Sequence, residues 1–175
     1  MAGLAHLGVG MVAKRVAPNV PVGVLVAAAY TIDIVWAGFW VAGIEHYPAP
    51  GVVNTAPWSH GLFMSVVWSV VAAAITLLVT RNRRTSCIIG LLVFSHWVVD
   101  FIAKPMLHVY PSDSGLPLLF EGSPTVGLGL WSTAVGVSVG EYGTAILGIV
   151  VYVLTLIKLR NEKRSLAANG AHLPV

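Results

Sequence analysis

Apolar residues fill four long stretches of the chain, 20–44, 58–79, 86–107 and 128–157. Each is long enough to cross about 30 Å of hydrocarbon, which takes about 20 helical residues. Between them lie the turn-rich stretch 45–57, the tight Arg81-Asn82-Arg83-Arg84 and the Pro-, Gly- and Ser-rich stretch 109–127. The pattern predicts an all-α fold, a polytopic membrane four-helix bundle. A further apolar run, 2–13, is too short to span, since about 12 residues make only about 18 Å of helix. Its positive charges follow the apolar stretch and no small-residue cleavage site is evident, so it does not read as a signal peptide. A short N-terminal helix, half-inserted or interfacial, is expected there. The whole of 1–164 reads as one transmembrane domain, and 165–175, with Asn169-Gly170, Pro174 and no periodicity, as a disordered cytoplasmic tail.

Composition agrees with that pattern. Of 175 residues 57% are hydrophobic and 10% charged, against about 25% charged in an ordinary soluble domain. Mean hydropathy is +0.83, so a conventional soluble protein is excluded. Cys87 is the only cysteine, which rules out an intramolecular disulfide and a thiolate metal cage. The net charge is +3, yet the basic residues flank apolar runs and form no separate basic face, so no nucleic-acid partner is expected. Lys14, Arg15, Arg81, Arg83, Arg84, Lys158, Arg160, Lys163 and Arg164 all fall on one side of the predicted bundle. The positive-inside rule makes that side cytoplasmic, with both termini inside. Trp40, Tyr47, Trp58, Tyr110 and Trp131 fall at the opposite helix ends, where amphipathic rings favour the headgroup layer. No internal repeat, phosphate loop or nucleotide fingerprint is present.

What remains is a set of ionisable groups at bilayer depth: His6, Asp33, His60, His96, Asp100, Lys104 and Glu141. Each costs a few kcal/mol unless paired, hydrated or bound to a metal, so a functional site facing the bundle interior is the default expectation. Helical rise puts His6 about 12 Å from the cytoplasmic end, His96 about 16 Å, Asp33 about 20 Å, Asp100 about 22 Å and Glu141 about 24 Å, with His60 nearer the outer surface. One cluster can contain them. His96 and Asp100 are spaced i, i+4 and project from one helix face. That suits two ligands of one metal, a carboxylate orienting an imidazole, or a plain helix-stabilising bond, as does Asp100 with Lys104. Three imidazoles and two carboxylates from four segments offer the mixed nitrogen and oxygen donors of zinc, manganese or iron hydrolytic sites. Glu141 and Asp33 are the candidate proton acceptors. Glu45, His46 and His108 read as interfacial. Ser59 and Ser95 each precede a histidine, but neighbours on a helix point about 100° apart, which argues against a Ser-His nucleophile pair. The outer loop 109–127 is long enough for a lid, and its apolar 115–120 can dip into the interface where protein covers the backbone.

Four features resemble a known family: His6 in Ala5-His6-Leu7-Gly8, Asp33 in Thr31-Ile32-Asp33-Ile34, His60 in Trp58-Ser59-His60-Gly61, and Ser95-His96 followed by Asp100. With the stretch from Gly115 to Leu118, they look like the membrane-bound metal-dependent hydrolases of bacterial inner membranes, also described as LexA-binding, inner-membrane-associated hydrolases. The resemblance covers roughly residues 1–130. It implies a polar intramembrane metal site in a bacterial inner-membrane protein, and names no substrate. Family members often carry Asp-x-Asp where this chain has Asp33 alone, and His-Arg-Gly-x-Thr-His-Ser where it has only the second histidine, His60. The second metal and phosphate grip those residues imply have no counterpart at these positions.

The reading that joins these observations is a membrane metal-dependent hydrolase. A divalent metal, zinc foremost, would be held by His60, His96 and Asp100 with Asp33 and His6, and would activate water against a lipid or lipid-linked ester or phosphoester. Burial in the membrane points to membrane lipids as surroundings and source of substrate. Two other classes fit the same residues. One is a small proton- or metal-coupled transporter or channel, which needs a homo-oligomer because four spans make a thin conduit. The other is a non-catalytic assembly subunit whose polar groups pair with one another or with a partner helix.

Overall fold

Long runs of Leu, Val, Ile and Ala without proline leave the backbone one way to satisfy its amides in lipid, the helical ladder. The computed structural model describes residues 3–46 and 56–170. Its helices are α1 (Gly3–Val12), α2 (Val22–Ala29), α3 (Thr31–Val41), α4 (Pro57–His60), α5 (Leu62–Thr80), α6 (Arg83–Ala103), α7 (Ala134–Ser138) and α8 (Thr144–Gly170). A 3-10 turn, Ala13–Arg15, follows α1, and a π-helical segment, Val139–Gly143, joins α7 to α8. Among the described residues three runs are long and apolar enough to cross a membrane: α5, α6 and Ala134–Ala167. The pair α2 and α3, bent by 57°, makes a fourth if counted as one span. The expected all-α membrane architecture is therefore the one that forms.

The spans are less regular than their hydropathy implies. The first breaks at Tyr30, between α2 and α3. The second breaks at Gly61, whose ψ of 144° separates α4 from α5; a Cβ there would lie 2.5 Å from the Pro57 carbonyl oxygen and 2.8 Å from that of Leu119. The last begins at Ala134 instead of 128, because the amides before it are used elsewhere. Leu128, Gly129, Leu130 and Trp131 donate to the carbonyls of Phe101, Lys104, Ile102 and Ala103, satisfying the end of α6 where lipid supplies no donor. At the other end α8 runs past Ser165 to Gly170, where a disordered tail was the expectation. Leu166, Ala167 and Ala168 are good helix formers, and no proline intervenes before Pro174. Tyr47, most of the loop 45–57, and His172 lie outside the described residues.

Within the bundle α6 is the central helix, with 44% of its apolar stretch buried against 11% for α5 and 17% for the last span. Its Ile89, Leu92 and Val93 pack with Leu25, Ala28 and Ile32, while Val70, Leu78 and Val79 of α5 and Ile146, Leu147 and Leu154 of α8 remain exposed, as lipid-facing residues should. The short α1 is buried among α2, α6 and α8, with Ala5, His6, Gly8 and Gly10 enclosed. Glycines permit that close approach: a Cβ on Gly10 would stand 2.7 Å from the Val26 Cα.

All the basic residues but Lys104 come from segments at one pole. Arg84 donates from Nη2 to the Val16 carbonyl at 3.2 Å, and Lys14, Arg160, Lys163 and Arg164 line one groove there. At the other pole the segment after α6 folds back as an ordered cover. Strands β1 (Leu116–Pro117) and β2 (Thr125–Val126) pair antiparallel, Asp113 accepts from the amides of Met106 and Gly115, and the amide of Phe63 donates to the Leu118 carbonyl. Leu116 is fully buried. Trp131, expected in the headgroup belt, is buried as well, its indole lying against Gly140.

Candidate metal centre

Every candidate ligand sits at a helix end, a helix break or on the central helix. Asp33 lies in the first turn of α3, just past the break at Tyr30. His60 ends α4 immediately before Gly61. His96 and Asp100 share the buried face of α6, and His6 comes from α1. The breaks place polar side chains inside the bundle without forcing the flanking backbone to leave its ladder, a device tolerated at membrane depth only where protein surrounds it.

These five side chains converge. His6 Nε2 lies 3.4 Å from Asp100 Oδ1, His60 Nε2 3.4 Å from Asp33 Oδ1 and 3.8 Å from Asp100 Oδ2, and His96 Nε2 3.6 Å from Asp33 Oδ1. His6 and His96 stack with ring centroids 3.7 Å apart. His6, His96 and Asp100 form one group with ligand atoms within 4.8 Å of one another, and Asp33, His60 and His96 form another.

Among the described residues, seven buried side-chain polar atoms have no hydrogen-bond partner, and five are here: His6 Nε2, Asp33 Oδ1, His96 Nε2 and both oxygens of Asp100. Buried groups are almost always paired, and leaving one unpaired costs about 1–3 kcal/mol. Two donors bound to one ion at about 2.1 Å in a tetrahedral arrangement stand about 3.4 Å apart. The observed separations match that edge and exceed a good hydrogen bond. The cluster could thus hold a metal.

Two of the imidazoles are fixed in the tautomer a metal requires. His96 Nδ1 lies 2.9 Å from the Ala29 carbonyl oxygen, which can only accept, so Nδ1 carries the proton and Nε2 presents a lone pair. His60 is set through a longer chain. Its Nδ1 is 2.8 Å from Ser59 Oγ, and Ser59 Oγ donates at 2.6 Å to Glu45 Oε2. With its proton committed to Glu45, the serine oxygen accepts from His60 Nδ1, again leaving Nε2 bare. Glu45 Oε1 accepts in turn from the amides of Trp58 and Ser59 at 2.8 and 3.0 Å, which anchors the start of α4.

The sequence pointed to this group only in part. Glu45, expected at the interface, is 3% exposed and belongs to the support of His60. A Ser59–His60 contact does form, contrary to the 100° argument, because α4 is one turn long and the imidazole folds back through Nδ1. Ser59 thereby links His60 to Glu45. Glu141, a candidate base, accepts from the amides of Leu4 and Ala5 at 2.7 and 3.1 Å. It caps α1 and so positions His6; it is not among the clustered ligand atoms. No local signal marks Glu45, which is distant from Ser59 in the chain.

Comparison with family models, curated proteins and solved structures returned no match. The chemistry of the site therefore rests on its geometry.

Proposed function

We propose that the chain is an integral membrane hydrolase that uses one divalent metal, zinc foremost, to cleave a lipid or lipid-linked ester or phosphoester. The observation that supports this reading is a buried cluster with five unpaired ligand atoms, arranged as two adjoining groups that share His96, with the Nε2 lone pairs of His96 and His60 freed by their Nδ1 bonds. Three imidazoles and two carboxylates suit zinc, with manganese or iron as the other ions this donor set accepts. Such an ion would supply Lewis acidity, activating water and polarising the scissile phosphoryl or carbonyl oxygen. His96, His60 and His6 would hold it through nitrogen and Asp100 would be its most enclosed carboxylate. Asp33, whose side chain keeps 12% exposure, takes the proton from the attacking water. The water oxygen joins phosphorus or the acyl carbon, the bond to the leaving alcohol breaks, and Asp33 returns the proton to that alcohol. Glu45 and Ser59 hold His60 in register. The protein would sit in a bacterial inner membrane with the basic pole cytoplasmic, opening its site to lipid from the outer half.

The test is metal content per protomer by elemental analysis of detergent-purified wild type beside His96→Ala, followed by a screen of lipid phosphoesters and esters. Near-stoichiometric metal in the wild type, lost in the variant, together with hydrolysis that follows the metal, supports the reading. Metal retained in His96→Ala overturns the ligand assignment.

The 57° bend between α2 and α3 favours a second reading, a proton- or metal-coupled transporter, because broken helices at mid-membrane are how many transporters build ion sites. Flux in sealed vesicles that vanishes with Asp100→Asn, without hydrolysis, would select it.

A further inference from the structure

Nine of the ten basic residues belong to the predicted cytoplasmic side, and the tenth, Lys104, stands at the other end of α6. Its Nζ lies 3.8 Å from Asp100 Oδ2, the oxygen that is also 3.8 Å from His60 Nε2. An ammonium thus borders the cluster from the side of the cover. We infer that Lys104 binds a non-bridging oxygen of a phosphoester monoanion, making the centre a phosphodiester site instead of one for neutral carboxylic esters. This rests on the proposed metal hydrolase and narrows its substrate.

Three observations carry the inference. First, 3.8 Å is too long for a hydrogen bond, and Asp100 Oδ2 is itself without a hydrogen-bond partner. Among the described residues the ammonium therefore has a charge neighbour but donors to spare, three N–H groups in all. Second, the Lys104 side chain keeps 17% exposure, against 0% for Asp100 and His96. Lys104 and Asp33, at 12%, are thus more exposed than the His6, His60, His96 and Asp100 side chains they adjoin. Third, Lys104 places a positive charge beside the clustered ligand atoms. A phosphodiester offers that ammonium an anionic oxygen and a charge-assisted hydrogen bond, whereas a neutral carboxylic ester offers only a carbonyl.

The backbone holds Lys104 in place for this role. Its amide donates to the Asp100 carbonyl at 2.7 Å, and its carbonyl accepts from Gly129 at 2.7 Å. Gly127 passes so close that any Cβ there would overlap the Lys104 carbonyl. The side chain thus starts from a fixed point beneath the cover and turns back toward Asp100.

A mere ion pair predicts the opposite of a substrate contact, so the two separate cleanly. If Lys104 only holds Asp100 in place, Lys104→Met should lose metal. If it serves an anion, removing it takes away a repulsive charge beside the ion, so metal binding is kept or tightens. The experiment is calorimetric titration of inorganic phosphate into zinc-loaded and zinc-free full-length protein in detergent, for wild type, Lys104→Met and Lys104→Arg, with zinc content measured on each sample. Expected are phosphate binding that depends on zinc, a loss of about 10–100-fold in Lys104→Met at undiminished zinc, and substantial retention in Lys104→Arg. The zinc-free arm removes binding at the basic pole. Equal phosphate affinity in Lys104→Met, zinc lost with the lysine, or no phosphate binding by zinc-loaded wild type each overturns the inference and leaves the metal centre standing. Wild type that takes up no zinc overturns the metal reading itself, and this inference with it.

Discussion

Gly8 of α1 and Gly148 of α8 touch backbone to backbone: a Cβ on Gly148 would lie 2.4 Å from the Gly8 Cα. The same crossing brings the Gly8 Cβ position within 2.3 Å of the Thr144 carbonyl oxygen, so neither residue has room to grow and no side chain can swing aside. This contact sets the depth at which α1 enters the bundle, and hence where His6 stands.

Gly148→Ala is accordingly expected to push α1 off α8. Overpacking of this kind costs about 1–3 kcal/mol, and metal affinity should fall with it because His6 retreats. Gly143→Ala, whose Cβ would meet only Val139 Cγ1 at 4.0 Å, should leave both unchanged. Thermal unfolding in detergent and metal titration of the two variants check the pair; equal behaviour would mean that the crossing does not position His6.

The chain Glu45–Ser59–His60 is expected to act on the metal without touching it. Ser59→Ala removes the acceptor of the His60 Nδ1 proton, and Glu45→Ala frees the serine proton to turn toward His60, favouring the tautomer that blocks Nε2. Each should weaken metal binding about 10–100-fold, the usual effect of losing a ligand's supporting bond. On a His60→Ala background neither should add much, since the residues act as a unit. Full additivity in that cycle would show that Glu45 and Ser59 only anchor α4.

At the cover, Gly115 adopts φ +95°, and a Cβ there would stand 2.7 Å from the Val126 carbonyl oxygen. Gly115→Ala should cost about 1–3 kcal/mol locally and open the β1–β2 pair. Faster proteolysis within 109–127, with metal content preserved, is the expected result. Unchanged proteolysis would show that the pair tolerates the left-handed strain.

The parts of this design legible from sequence are those with a local period. His96 and Asp100 stand one helical turn apart, so their common face follows from spacing alone, and runs such as 62–80 announce a helix by length and hydropathy. His6, Asp33 and His60 could be grouped only by cost, since each is an ionisable residue at bilayer depth. The break at Tyr30 left no trace, because neither proline nor glycine marks it. Gly61 was visible, but a single glycine does not say whether a helix bends. The supporting role of Glu45 and the capping role of Glu141 escaped for a common reason. Both carboxylates bind backbone amides at helix starts, α4 and α1, that are far away in sequence, and only tertiary packing brings them there.

The crossing of α1 with α8 also sets a schedule. At about 5–20 residues per second, Gly148 is made on the order of ten seconds after Gly8, when α2, α3, α5 and α6 have already left the ribosome. Until then the first helix has α2 and α6 to pack on but lacks the α8 surface that fixes its depth, and a nascent chain holds four of the five ligands but not His6 in position. Completion of the centre is thus tied to completion of the polypeptide, so a chain truncated before its last helix would carry an unfinished pocket, however well its earlier helices had inserted.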